Sequence, residues 1–70
     1  MFATKLKAAR ESLGFTQAEM AAFLDRSLRC YEGWERAENE PDALIQDGIW
    51  SRVIREKNKR LHDEIDRIQS

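Results

Sequence analysis

The hydrophobic positions of this chain recur at helical spacing from one end to the other. Leu6, Ala9 and Leu13 fall at i, i+3 and i+7 on one face, and Gly14 follows as a left-handed stop. No segment of more than a few residues alternates with a period of two, and the chain has one Pro and three Gly. The pattern therefore predicts an all-α fold, a compact bundle of four to five helices, with the first helix over residues 3–13.

The second predicted helix opens on the letters TQAE. The Thr16 hydroxyl can accept the Glu19 backbone N–H, and the Glu19 carboxylate can reach back, which makes a capping box. We expect this helix to end near Leu24, after which Asp25 and Arg26 form a turn. The apolar positions expected to face the core are Met20, Ala21, Phe23 and Leu24.

A third helix is predicted to start after Ser27, which is a good N-cap residue. Cys30, Tyr31 and Trp34 form its apolar stripe at i, i+1 and i+4. The remaining positions are expected to face outward: Leu28, Arg29, Glu32, Gly33 and Arg36. A short loop, AENEPD, should follow, with Pro41 starting the next helix.

The pattern from Asp42 to about Gln69 is helical again, although Gly48 weakens it. Its first apolar positions are expected to cover the other helices: Leu44, Ile45, Ile49, Trp50, Val53 and Ile54. Steps of 4, 3, 4 and 3 then connect Ile54 to a seam typical of a coiled coil: Asn58, Leu61, Ile65 and Ile68. We therefore divide the chain into a domain over 1–54 and a helix over 55–70 that dimerises or extends the core. The pairing direction stays open, and Asn58 as an ordinary surface residue is the alternative.

Composition restricts the classes of function. Seventy residues suffice for one small domain, and 12 basic against 13 acidic residues give a net charge of −1, which argues against a strongly DNA-binding surface. The single cysteine predicts a reduced, cytoplasmic protein, and no apolar run approaches the roughly 20 residues of a membrane helix. One His, one Cys and no Gly-rich loop predict neither an enzyme nor a metal or cofactor site.

Several motifs occur together at fixed spacing within residues 5–41. Leu6 and Arg10 fall in the first helix, GFTQAEMA opens the second, and WERAENEP ends the third. In these motifs the chain resembles the lambda-repressor-like helix-turn-helix family, also called Cro or XRE type. It departs from the family at four positions. Asp25 stands where the family usually has Gly, and Arg26 where it usually has a small aliphatic residue. Tyr31 replaces a Val or Ile, and Ala37 replaces a Gly.

The resemblance implies a role for each matching residue. Arg10 and Glu35 would form a partly buried ion pair between the first and third helices. Bases in the major groove of double-stranded DNA would be read by Leu28, Arg29, Glu32 and Gly33. Phosphates would be bound by Thr16, Gln17, Arg26, Ser27, Arg36 and Asn39. Gly33 would let the backbone approach DNA closely.

The resemblance also implies a function. We expect a repressor or autoregulator of phage or mobile-element type, in the cytoplasm and nucleoid, that binds an inverted-repeat operator as a homodimer. One alternative is an antitoxin that represses its own operon and binds a toxin through the C-terminal helix. Another is an interaction module that does not bind DNA, in which Arg29, Glu32 and Arg36 form a surface ladder of ion pairs.

Overall fold

Four helices, in a computed structural model that describes residues 1–69, account for most of the chain. They are α1 (Phe2–Leu13), α2 (Gln17–Phe23), α3 (Leu28–Glu35) and α4 (Ala43–Gln69). The prediction of a compact all-α domain with a long C-terminal helix is confirmed, and the described residues contain no strand. The predicted helix ends are correct to within one or two residues.

Local capping explains where the helices start and stop. Gly14 ends α1 with φ at 73°, and Thr16 and Glu19 make both hydrogen bonds of the capping box, at 3.1 and 2.9 Å. The Ser27 hydroxyl accepts the Cys30 backbone N–H at 3.2 Å. Asp42 caps α4, because its Oδ1 accepts the Ile45 N–H at 2.9 Å, and the helix begins at Ala43. The predicted start at Pro41 is therefore wrong by two residues.

The core lies where α1, α2 and α3 meet the first half of α4. Its buried side chains include Leu6, Met20 and Tyr31, which are fully shielded from solvent. The ring of Phe2 lies edge-on to Trp34, with centroids 6.3 Å apart, and 5.7 Å from the ring of Trp50. The half of α4 on the core contributes Ile49 and Val53 as buried residues and Ile45 and Trp50 as partly buried ones. The first turns of α4 therefore cover the core largely as predicted.

Two apolar residues of α4 do not cover the core as the sequence predicted. Leu44 is 81% exposed and Ile54 is 59% exposed. Both lie on a helix that needs only one face for the core, and Ile49 and Val53 fill that face. The apolar surface of Ile54 is therefore left for another contact.

The helix α4 runs without a break through Gly48. It contacts the body of the domain, formed by α1, α2 and α3, beyond the midpoint of α4. Arg52 donates to the Phe23 carbonyl at 3.1 Å, and Arg60 donates to the Leu13 carbonyl at 2.8 Å. The Arg60 guanidinium also lies over the ring of Phe15, 5.3 Å from its centroid. These contacts reach beyond residue 54, where the sequence-based division of the chain falls.

Candidate nucleic-acid interface

The elements α2 and α3 form two short helices joined by a tight linker over residues 24–27. Asp25 takes a left-handed conformation with φ at 59°, and the Arg26 N–H donates to the Ala21 carbonyl at 2.9 Å. This local geometry turns the chain sharply, so that α3 starts beside α2 rather than continuing it. The arrangement follows the helix-turn-helix plan, in which the second helix presents a polar face.

A carboxylate near the end of α3 ties three helices together. Glu35, whose side chain is 5% exposed, accepts from Arg10 Nε at 2.8 Å on one oxygen and from Arg10 Nη2 at 3.4 Å on the other. Gln17 Nε2 donates to the same carboxylate at 3.2 Å, and the Tyr31 hydroxyl donates to it from one turn earlier. Arg10 also donates to the Phe15 carbonyl at 3.1 Å. Hence α1 contributes one donor residue, α2 one, and α3 both the acceptor and the tyrosine.

The electrostatics of this cluster favour the ionised carboxylate. Burial by itself would raise the pKa of Glu35, but hydrogen bonds from Arg10, Tyr31 and Gln17 outweigh it, so that the pKa lies below its usual value. The hydrogen bond to Glu35 raises the pKa of Arg10. Burial, followed by the hydrogen bond to the same carboxylate, raises the pKa of Tyr31. The cluster therefore holds a fixed ion pair and a neutral tyrosine at neutral pH.

The structure contains the Arg10–Glu35 ion pair that the resemblance implies, and it adds two partners that sequence reasoning missed. Tyr31 was expected as a core residue, and its hydroxyl could be assigned a partner only by knowing that Glu35 lies one turn further on and faces inward. Gln17 was expected to bind a phosphate, yet its amide nitrogen donates to Glu35. The Thr16 N–H, also assigned to a phosphate, already donates to Glu19. Phosphate binding at this end of α2 therefore remains a prediction with fewer free donors than expected.

The outward face of α3 carries most of the residues predicted to read bases. Leu28 and Arg29 are exposed in the first turn, and Glu32 is partly buried. Arg36 caps the helix end and contacts Glu32 at 3.5 Å, as in the ladder alternative. Arg29 has no hydrogen bond or ion pair with any described residue, so its guanidinium is available to a ligand. Arg26 lies over the ring of Trp34, 5.8 Å from its centroid.

Two predictions about the faces of α3 are wrong. Cys30, assigned to the apolar stripe, is exposed. Gly33, assigned to the outward face, is buried, because the loop after α3 folds back over it. A Cβ atom at Gly33 would lie 3.2 Å from Asn39 Nδ2. The close approach of the Asn39 side chain therefore accounts for a glycine here, and Gly33 also borders the concavity that Arg29 and Glu32 line. A role of Gly33 in contact with DNA stays a prediction.

The loop that covers Gly33 is shaped by an unusual alanine. Ala37 has φ at 62°, a left-handed conformation that favours glycine, and its N–H donates to the Trp34 carbonyl at 3.3 Å. The next two N–H groups, of Glu38 and Asn39, donate to the Gly33 carbonyl at 3.0 and 3.4 Å. The sequence-based prediction placed Glu38 in the short loop after the third helix. In the structure Glu38 lines the same open concavity as Arg29, Glu32 and Arg36.

The predicted phosphate-contacting residues are split between two places. Ser27, Arg36 and Asn39 line the concavity on α3, and Arg26 lies next to it in sequence. Thr16 and Gln17 lie at the start of α2, with Gln17 connected to α3 through Glu35. Three predicted base-reading residues therefore share one surface with Ser27, Arg36 and Asn39, namely Arg29, Glu32 and Gly33. Thr16 and Gln17 lie at a separate helix end.

Other kinds of site find little support in the described residues. No three His, Cys, Asp or Glu side chains among them are grouped so as to hold a metal ion. None of the helices described has an apolar stretch of the length needed to span a bilayer. Comparison of the chain with protein-family models, with curated proteins and with solved structures found no match.

Proposed function

We propose that this protein is a sequence-specific DNA-binding regulator, a repressor or autoregulator that binds an inverted-repeat operator as a homodimer. The observation that carries the proposal is the position of Arg29. It lies in the first exposed turn of α3, has no partner among the described residues, and belongs to a helix that the Glu35 cluster fixes in place. A short helix with a free arginine at its leading turn fits the width of a major groove of about 12 Å.

The chemistry of the exposed side chains supports reading of base pairs. Arg29 can donate two hydrogen bonds to guanine O6 and N7, a contact that discriminates against other bases by about 1–3 kcal/mol. Leu28, 43% exposed beside it, can contact a thymine methyl group. Glu32 can accept from cytosine N4, but it also contacts Arg36 at 3.5 Å. Binding through Glu32 therefore requires Arg36 to move toward a phosphate, which the exposure of Arg36 permits.

The balance of charge on this surface explains why a homodimer is part of the proposal. Arg29 and Arg36 are balanced by Glu32 and Glu38 in the concavity, so only Arg26, next to it in sequence, adds an excess of positive charge. Non-specific affinity for DNA depends on the number of phosphates neutralised, and a single domain of this kind neutralises few. Two copies bound to adjacent half-sites about 34–36 Å apart would combine their binding free energies.

Selection from a pool of random double-stranded DNA, followed by binding titrations at several salt concentrations, tests the proposal. We expect enrichment of an inverted repeat and a Kd that rises steeply with salt. Arg29→Ala should weaken binding by about 1–3 kcal/mol and relax one base position in each half-site. Lys59→Ala, which removes a cation from the exposed side of α4, is the matched control and should leave the base preference unchanged. Binding that is equally weak for all sequences at low salt would refute the proposal.

The acidic residues beside the arginines favour one competing function, an interaction module that does not bind DNA. Glu32 contacts Arg36, and Glu38 lines the same concavity, so that the cations are partly neutralised within the protein. Such a surface suits a protein partner with mixed charge better than a run of phosphates. Under this alternative no DNA sequence is enriched, and Glu38→Gln leaves DNA affinity unmeasurably low. Under the DNA-binding proposal the same substitution strengthens binding, because it removes a negative charge close to the phosphates.

A further inference from the structure

An apolar stripe on α4 faces solvent and is not used by the core. Its members are Ile54, Leu61, Ile65 and Ile68, which are 41–78% exposed, and Asn58 lies among them. At 3.6 residues per turn these five positions fall within about 80° of one another around the helix. They form one continuous surface, turned away from the side that carries Ile49 and Val53. A stripe of this kind marks a contact with another molecule.

The stripe borders a furrow between α1 and α4. The furrow is mostly apolar and is lined by Lys5, Ala8, Ala9 and Ser12 of α1 and by Trp50, Val53, Ile54 and Lys57 of α4. A shallower depression continues it past Lys57 to Leu61 and Glu64. Lys57 and Glu64 therefore lie on the same flank of the stripe, seven residues apart. Neither has a hydrogen bond or ion pair with another described residue.

Charge is distributed unequally along this helix. Residues 52–60 hold five basic residues and one acidic residue, whereas residues 61–68 hold three acidic residues and one basic residue. A parallel pair of α4 helices would place the basic halves side by side, and position 57 would meet His62 of the partner subunit rather than an acid. An antiparallel pair places each basic half beside an acidic half. Electrostatic complementarity therefore selects the antiparallel direction.

We propose that a second copy of this chain occupies the stripe, with the two α4 helices antiparallel and Lys57 of each copy beside the partner's Glu64. In this register Ile54 packs on the partner's Ile65, Asn58 lies against the partner's Leu61, and the two Asn58 residues flank the two-fold axis. The end of each helix, which extends past the Arg60 contact with the body, then lies along the furrow of the other copy. This proposal rests on the homodimer of the proposed function and adds its direction and contacts.

Reversal of the paired charges tests the direction, with sedimentation equilibrium of the full chain as the measurement. Lys57→Glu and Glu64→Lys should each weaken the dimer about tenfold, since each places two like-charged pairs in the interface. The double variant should return to within about threefold of the native Kd. Lys59→Glu, on the outer side of α4, is the matched control and should change the Kd by less than about threefold. A double variant that is no tighter than the singles, or a native chain that stays monomeric at hundreds of micromolar, would overturn the proposal.

A distance measurement gives a second, independent result. Spin labels attached at Asp66→Cys in a Cys30→Ser background should lie about 13 residues apart along the paired helices, an axial separation of roughly 20 Å. A parallel pair would bring them level with each other, which would overturn the antiparallel direction. These readouts use no DNA. If they fail while Arg29-dependent DNA selectivity is observed, the pairing is wrong and the DNA-binding proposal stands.

Discussion

Replacement of Tyr31 by Phe removes one hydroxyl from the Glu35 cluster and leaves the buried ring in place. The hydroxyl donates to a carboxylate that is 5% exposed, and a hydrogen bond to a charged group contributes about 1.5–3 kcal/mol. Arg10 and Gln17 still bind Glu35 in the variant, so we expect the free energy of unfolding to fall by about 1.5 kcal/mol, the lower end of this range. For a chain of this size that corresponds to a fall in melting temperature of roughly 6–12 °C.

The dependence of this loss on pH distinguishes the hydrogen bond from a packing defect. The pKa of Glu35 is lowered in the folded chain, so the carboxylate stabilises the fold above its ordinary value of 4.5 and the contribution is lost as the pH falls below it. The pKa of Tyr31 is raised, so its contribution is complete below its ordinary value of 10.0 and is lost as the pH rises above it. The advantage of the native chain over Tyr31→Phe should therefore be largest between about pH 5 and 9.

Urea denaturation followed by circular dichroism, at intervals from pH 3 to 10.5, measures this profile. A double-mutant cycle with Glu35→Gln isolates the coupling between the two side chains. Glu38→Gln is the control, because that carboxylate has no hydrogen-bond or ion-pair partner among the described residues, and it should shift stability by less than about 0.5 kcal/mol. A difference between native and Tyr31→Phe that is the same at every pH, or a coupling energy of zero, would refute the reasoning.

Three further predictions test other parts of the structure. Arg10→Met leaves Glu35 buried without its cation and should cost about 3–5 kcal/mol in thermal or urea denaturation, with partial recovery on adding Glu35→Gln; a melting point within 2 °C of native would contradict this. Ala37→Gly should stabilise the fold by about 1 kcal/mol, because Ala37 has φ at 62°. Ala18→Gly within α2 should destabilise the fold by about as much. Changes of the same sign in the two unfolding free energies would contradict the left-handed conformation of Ala37. The exposed Cys30 thiol should react with Ellman's reagent in native buffer, and protection until denaturant is added would show that it is buried.

The helix limits were predictable because local side chains determine them. The capping side chains and the C-terminal glycine act on backbone groups within four residues: Thr16 with Glu19, Ser27 and Gly14. The helix ends can therefore be predicted without tertiary information. The helical spacing of apolar residues likewise identified the core-facing side of α1 and α2. These parts of the fold follow from rules that operate within one or two turns.

The buried and exposed faces of α3 were less predictable, because the expected burial of two small residues is reversed in the structure. Cys30 and Gly33 are both small, so residue type alone does not decide which of them lies under a neighbouring segment. The loop decides, through the left-handed Ala37 that brings Asn39 over Gly33. Alanine carries no sequence signal for that conformation. Similarly, Gln17 reaches Glu35 only when α2 is docked against α3, and Tyr31, one turn before Glu35 on α3, meets it because both side chains face inward. The Arg10–Glu35 pair was foreseen from a family resemblance rather than from spacing.

Because α4 is one continuous helix, the direction in which the side chains of its second half face is fixed relative to the rest of the domain. Because each residue advances the helix by about 100°, one alanine inserted after Arg60 would turn Leu61, Ile65 and Ile68 by that angle relative to Ile54. Four inserted residues would bring the stripe back to within about 40° of its original direction while moving it roughly 6 Å outward. The alignment of the two halves of the stripe thus depends on the number of residues between them as well as on their identity.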